Sequence, residues 1–206
     1  MNDFDAKMLR GGDAALHEAE KFFMHADPVH QALRAITVRL NELGIPYAVL
    51  GGMALVAHGY TRTTVDVDIL LTPEGHAKAR GELDGLGYLP AFKNSKNLRD
   101  ATTGVRIEFL ITGQFPGDGK PKPIAFPDPA TAAVNIDGIN YLRLETLIEL
   151  KLASGMTNPG RLKDLADVQE LIRLLKLGQD FEASLNPYVQ AKFAELRQAV
   201  ETNPVD

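Results

Sequence analysis

The chain contains no cysteine, which removes disulfide scaffolds, thiolate zinc sites, iron–sulfur clusters and cysteine nucleophiles together. That absence points to a reducing compartment. A basic excess is also missing: 22 Lys and Arg stand against 27 Asp and Glu, a net charge of −5. Proteins that track nucleic-acid backbones usually carry the opposite balance, so any such contact must come from a local patch. No apolar run is long enough to cross a bilayer, because the longest uncharged stretch, 43–61, is broken by Gly44, Pro46, Gly51, Gly52 and Gly59. The opening MNDFDAKMLRGGDAALHEAEKF has neither the basic start nor the apolar run of a secretory signal. A cytoplasmic location without a membrane partner is therefore expected. Repeats and low-complexity tracts are absent too. What remains is a chain of 206 residues, 45% of them apolar, enough for one domain, or a compact domain with a helical annex.

Three parts are expected: a polar, loosely docked helical extension over 1–27, a mixed α/β domain over 28–142 and a helical segment over 143–206. Leu33, Ile36, Val38, Leu40 and Leu43 recur at helical spacing between Pro28 and the stop at Gly44. Tyr47–Leu50 reads as a buried strand, and Gly51-Gly52 leads into a short helix, 53–58. Thr64–Leu71 reads as a second strand, His76–Leu86 as a helix and Val105–Ile111 as a third strand. The stretch 113–129, rich in Pro and Gly and carrying Lys120 and Lys122, describes a long surface loop. An extended piece near Ile136–Leu142 follows. Beyond it come three helices: one with Leu144, Leu147, Ile148 and Leu152, one with Leu162, Leu165, Val168, Leu171 and Leu175, and one over Phe181–Val200.

Chemistry concentrates in Thr64-Val65-Asp66-Val67-Asp68-Ile69. Alternation along a strand puts Asp66 and Asp68 on one face, roughly 6.5–7 Å apart, with Val65, Val67 and Ile69 toward the core. Two carboxylates on one face repel, so a positive group belongs between them. Hard Mg²⁺ suits one or two carboxylates and leaves its other positions to water and phosphate; the alternative is a solvent-facing sheet edge paired with lysines. Glu108 interrupts an apolar strand between Ile107 and Phe109. Beside the Asp66/Asp68 strand it completes a triad able to hold two metals roughly 3.5–4 Å apart, while a salt bridge to Arg106 or Arg62 is its other explanation.

Gly51 and Gly52 lie between a strand end and a helix start, where backbone N–H groups can approach an anion, although such a pair is more often just a tight turn. Arg62, in the connection that returns to Asp66, is placed to meet phosphate or a carboxylate. Lys151 is three or four residues from Leu147 and Ile148, on or beside a buried stripe. Its amine either snorkels to water or enters the cleft between the two halves. Lys163 with Asp167 and Arg161 with Asp164 read as surface helix pairs, and His58 as a capping or packing residue. Lys93, Lys96, Arg99, Lys120 and Lys122 either face an acceptor or simply solvate.

The ordered set Gly51-Gly52-Met53-Ala54, His58-Gly59, Arg62 through Ile69 and Ile107-Glu108-Phe109 resembles the nucleotidyltransferase superfamily typified by DNA polymerase beta, and within it the small bacterial AbiE-type and minimal nucleotidyltransferases. The segments 147–151 and 161–167 resemble the helical part that follows the catalytic domain in those proteins. The resemblance implies an α/β (α+β) fold, with a small mixed sheet flanked by helices and a C-terminal helical segment. It further implies transfer of a nucleoside monophosphate from a nucleoside triphosphate (NTP) to a hydroxyl on an RNA end, a protein or a small molecule, with Mg²⁺ or Mn²⁺ as cofactor and release of pyrophosphate. Asp66, Asp68 and Glu108 would be catalytic and metal-binding. Gly51, Gly52, Arg62 and Lys151 would hold the nucleotide, and an antitoxin would be a partner if the chain belongs to a toxin–antitoxin pair. Two departures stand out: Gly52 takes the place of a Ser common in relatives, and the third acid is Glu rather than Asp. A glycosyltransferase using D-x-D, and a catalytically silent nucleotide-binding or protein-interaction module on the same fold, are the competing readings.

Overall fold

A computed structural model describes residues 27–93 and 95–203; the expected 1–27 extension lies, but for Asp27, outside them. Helix α1 (Pro28–Glu42) starts where the Asp27 carboxylate accepts the backbone N–H of Val29 at 2.7 Å, with Pro28 in the first turn, where its missing N–H costs nothing. Strand β1 (Ala48–Leu50) runs directly into α2 (Gly51–Ala57), and Gly51 takes the left-handed φ of 64° that turns the chain from strand to helix. Strand β2 (Asp66–Leu71) precedes α3 (Pro73–Leu83), which begins where Thr72 Oγ1 accepts the Gly75 N–H at 3.0 Å. That cap places the helix three residues earlier than expected.

Two short strands, β3 (Tyr88–Pro90) and β4 (Leu98–Asp100), come before β5 (Arg106–Ile111). After the long loop, the short helix α4 (Pro129–Ala132) leads into a hairpin of β6 (Ala133–Ile136) and β7 (Ile139–Leu142). Asp137 and Gly138 both have positive φ at its tip, 50° and 84°, as a two-residue turn matched to strand twist requires. Helix α5 (Leu144–Thr157), a 3₁₀ turn (Pro159–Arg161) and α6 (Leu162–Leu175) follow. The helix expected over 181–200 is two, α7 (Gln179–Ser184) and α8 (Pro187–Thr202). Asn186 and Pro187 divide them, Asn186 Oδ1 capping the second by accepting the Tyr188 N–H at 3.0 Å.

The seven strands form one mixed sheet in the order β3-β4-β5-β2-β1-β7-β6. Its centre decides the site: β2 pairs with β5 in parallel, with Asp66 opposite Arg106 and Asp68 opposite Glu108, and antiparallel β1 sets Leu50 opposite Asp68. Alternation then separates two faces. Val67, Ile69, Ile107 and Phe109 are fully buried on one, where α1 and α3 pack and the His76 ring meets Phe109 edge-on at 5.3 Å. Val65, expected in the core, is 43% exposed because it precedes the strand. The other face carries the acids. Helices α5, α6 and α8 pack on one another through Ile148, Leu152, Val168, Leu171, Val189 and Phe193. No described helix is long and apolar enough to cross a membrane.

Candidate active site

Asp66, Asp68 and Glu108 meet at the floor of a cleft of about 790 Å³, each offering an oxygen within 4.8 Å of the others'. The strand pairing of β2 with β5 causes this, since matched residues of parallel neighbours share a face. All three are partly buried. Burial, then the negative charges of Asp66 and Glu108, push the Asp68 carboxyl up to about 7. Burial and two neighbouring like charges disfavour the ionised form of Asp68, and a bound cation would restore it. The donor set, three carboxylates and nothing soft, fits Mg²⁺ or Mn²⁺.

Arg106 supplies positive charge among them. Its guanidinium lies 3.0 Å from Asp66 Oδ2 and 3.0 Å from Glu108 Oε2. The salt bridge expected as the alternative role of Glu108 is therefore formed, through Arg106. Although burial alone would lower it, the hydrogen bond to Asp66 and the charges around it raise the Arg106 pKa.

Gly51 and Gly52 are fixed by contacts rather than by flexibility. Gly51 has φ +64°, and a Cβ there would fall 1.8 Å from Asp68 Oδ2. A Cβ at Gly52 would sit 2.6 Å from both Cβ and Oγ1 of Thr64, so a serine does not fit at this position. The Thr64 side chain fills that space, and its hydroxyl donates to Asp66 Oδ1 at 3.0 Å. Sequence reasoning passed over Thr64.

Lys151 is buried and lines the cleft. Its Nζ donates to Asp164 Oδ1 at 2.9 Å and to Asp167 Oδ2 at 2.7 Å, and its charge acts against the rise of the Asp68 pKa. Of the two options for its amine, snorkelling to water is thus the one not taken. Arg62 also lines the cleft, with Nε 3.2 Å from Asp167 Oδ1, an ion pair without hydrogen-bond alignment. Asp164 accepts further from Ser154 Oγ at 2.7 Å and Arg161 Nε at 3.0 Å. Burial pushes its pKa up, but Lys151, Ser154 and Arg161 outweigh that and hold it low.

The expected pair of Arg161 with Asp164 forms, at 3.0 Å, but the surface placement of the two acids and the pairing of Lys163 with Asp167 are corrected here. Asp164 and Asp167 are 8% and 2% exposed, and Asp167 pairs with Lys151 and Arg62 rather than with Lys163. The missed signal was register: Asp164 and Asp167 fall at helical spacing from Val168 and Leu171, on the apolar stripe itself. Among the other cations, Lys122 is held by the Pro116 carbonyl and Asp118, both at 2.6 Å, and Arg99 by the Gly104 carbonyl. Lys96 and Lys163 line the cleft. His58 packs as expected, its Nε2 2.7 Å from the Leu142 carbonyl oxygen.

No protein-family model matches the sequence, and none of the curated proteins does. Solved structures do match. The crystal structure of ANT(2'')-Ia in complex with adenylyl-2''-tobramycin aligns with TM-score 0.51 at 14% identity, over 84% of this chain and 96% of that one. The solution structure of the same antibiotic-resistance factor gives 0.53 at 14% identity, over 84% and 97%. An antigenic nucleotidyltransferase-like protein from Paracoccidioides brasiliensis gives 0.53 at 16% identity, over 84% and 89%. The fold is that of the nucleotidyltransferases. In this nucleotidyltransferase fold the sheet face bearing Asp66, Asp68 and Glu108 forms the floor of the cleft, and α5 with the following 3₁₀ turn forms a wall.

Proposed function

We propose that the chain is a metal-dependent nucleotidyltransferase, moving a nucleoside monophosphate from an NTP to a hydroxyl with release of pyrophosphate. The observation that carries this reading is the convergence of Asp66, Asp68 and Glu108 beside Gly51. Asp66, Asp68 and Glu108 would hold Mg²⁺ or Mn²⁺. Such ions, when bound, neutralise triphosphate charge and polarise the attacking hydroxyl. Glu108 takes the proton of that hydroxyl. The backbone of Gly51 and Gly52 borders the triphosphate, and Arg62 and Lys151 face it with positive charge. Two of the three ammonium donors of Lys151 are already spent on Asp164 and Asp167, which aims the third and fixes the charge in place.

The motif order, together with Lys151, Asp164 and Asp167, supports a relationship to the AbiE type, for which a protein antitoxin is the expected partner. One observation favours the silent-module reading: Arg106 already bridges Asp66 and Glu108, so the triad is partly satisfied without a metal. Incubation with each α-labelled NTP, Mg²⁺ and a cell extract separates the two. Label should enter the RNA, protein or small-molecule fraction with wild type and not with Asp68→Ala of unchanged circular dichroism. Equal labelling by the variant contradicts the assignment.

A further inference from the structure

The long loop that leaves β5 lines the cleft with Gln114, Phe115, Pro116, Gly117 and Phe126. A loop of this kind is either a mobile lid or a fixed wall, and its bonds make it a wall. At its base the Gly113 N–H donates to the Phe126 carbonyl and the Phe126 N–H to the Gln114 carbonyl, both at 2.8 Å, while Thr112 Oγ1 donates to the Pro127 carbonyl at 2.9 Å. At its waist Lys122 Nζ donates to both the Pro116 carbonyl and Asp118 Oδ1 at 2.6 Å. Pro116, Pro121, Pro123 and Pro127 each fix a φ angle and restrict the residue before them, which leaves the segment little freedom to hinge.

The tip of the loop, Gly117, rests on the far end of α5. It has φ +75°, and a Cβ there would fall 2.3 Å from Thr157 Oγ1 and 2.8 Å from the Ser154 carbonyl oxygen, both well inside van der Waals contact. Asn158, the residue after α5, donates from Nδ2 to the Gly117 carbonyl at 3.2 Å and accepts the Gly160 N–H on Oδ1 at 2.9 Å, so its amide is held on both sides. The other end of α5 is pinned where Arg143 donates its N–H to the Ala132 carbonyl at 3.0 Å and its guanidinium to the Thr131 carbonyl at 2.6 Å. With fourteen residues, α5 is about 21 Å long, and α5, α6 and α8 pack chiefly on one another. A lever pinned at one end keeps its distance from the sheet only if the other end is tied as well. Lys151 and Ser154 sit in the last two turns of that lever, where both donate to Asp164.

We propose that Gly117 and Asn158 are positioning residues, through which the 113–127 loop acts as a fixed strap that sets the width of the cleft; this rests on the nucleotidyl-transfer reading of the same site. The strap holds Lys151, and Arg161 on the 3₁₀ turn, at a preset distance from the triad. The NTP then enters a preformed site, and the cost of ordering the two walls is met in folding rather than in binding.

The test uses the full chain. Because it has no cysteine, Lys96→Cys on the β3–β4 loop and Lys163→Cys at the start of α6 accept a nitroxide pair at two exposed positions that line the cleft. Double electron–electron resonance should give one narrow distance, the same without ligand and with Mn²⁺ plus the α,β-methylene analogue of each NTP in turn. Gly117→Ala should shift that distance longer and broaden it. It should also weaken analogue binding about tenfold, the worth of one hydrogen bond to a charged group, and raise the KM for NTP more than it lowers kcat. Mn²⁺ binding without nucleotide, which the sheet floor provides, should not change. Gly119→Ala is the control: it carries the same backbone strain at φ +72° with nothing within 4 Å of the added Cβ, and should match wild type throughout. Thr157→Ala, which removes the nearest atom, should restore the Gly117→Ala distance in part. Asn158→Asp, which keeps the bond to Gly160 and loses the one to Gly117, should reproduce the shift. A wild-type distance that shortens when an analogue binds makes the loop a closing lid and overturns the proposal, as does a Gly117→Ala variant that matches Gly119→Ala. Analogue binding that neither Gly117→Ala nor Asn158→Asp weakens overturns it while the transfer reading stands. Wild type that binds neither Mn²⁺ nor any analogue overturns both.

Discussion

Gly51 and Asp68 share a space that only a glycine leaves open. A methyl group at Gly51 would overlap Asp68 Oδ2, and the positive φ penalises any side chain there. Gly51→Ala should therefore cost about 1–3 kcal/mol in urea denaturation and abolish Mn²⁺ binding, because Asp68 has to swing out of the triad. Asp68 also sets a pH signature. Its pKa is raised from an ordinary carboxylate value to about 7, so between pH 4 and 7 the folded state binds the proton that the unfolded state releases. Stability contributed by this group is present at low pH and is lost as pH rises through 7. The metal-free protein should lose a few degrees of Tm from this term between pH 5 and 8, a slope that Asp68→Asn removes and saturating Mn²⁺ flattens. A scan in which wild type and Asp68→Asn run parallel would contradict it. At this scale the acids were legible because strand alternation is strict, whereas Thr64 was not, since its role exists only through the missing side chain of Gly52.

Between elements, the parallel register of β2 and β5 and the bonds between α5 and α6 assemble the cleft. Asp167 ties α6 to two other parts of the fold: it holds Lys151 of α5 and faces Arg62 of the β2 approach. Asp167→Asn should cost about 3 kcal/mol, as breaking a buried pair does, read from the urea midpoint at unchanged m-value, and should raise the KM for NTP more than it lowers kcat, since it loosens charges that face the triphosphate. Loss of stability with KM unchanged would make the network structural only. The central strands were readable as β-branched runs, but β3 and β4 were not: at three residues each, with Pro90 closing one, they carry no period to detect. In α6, two acids on an apolar stripe were assigned to solvent because the groups that hold them inside, Lys151 and Ser154 of α5 and Arg62 of the β2 approach, come from elsewhere in the chain. The break at Asn186-Pro187 was written in the sequence as a cap followed by proline, yet the apolar spacing on either side carried one helix across it.

Over the whole molecule, one face of a seven-stranded sheet is sealed by α1 and α3, while the other opens on a cleft bordered by α5. An acidic chain thereby concentrates cations around three carboxylates, an arrangement suited to bringing a polyphosphate onto a metal. Everything proposed for function passes through that triad. The most direct measurement is the Mn²⁺ binding isotherm of the metal-free protein, followed by electron paramagnetic resonance with and without NTP, for wild type and Asp68→Ala. Saturable binding that tightens with NTP and is lost in the variant is the predicted result. Wild type that binds no Mn²⁺ even with NTP, or a variant that binds it equally well, would show the three carboxylates to be an ion cluster satisfied by Arg106.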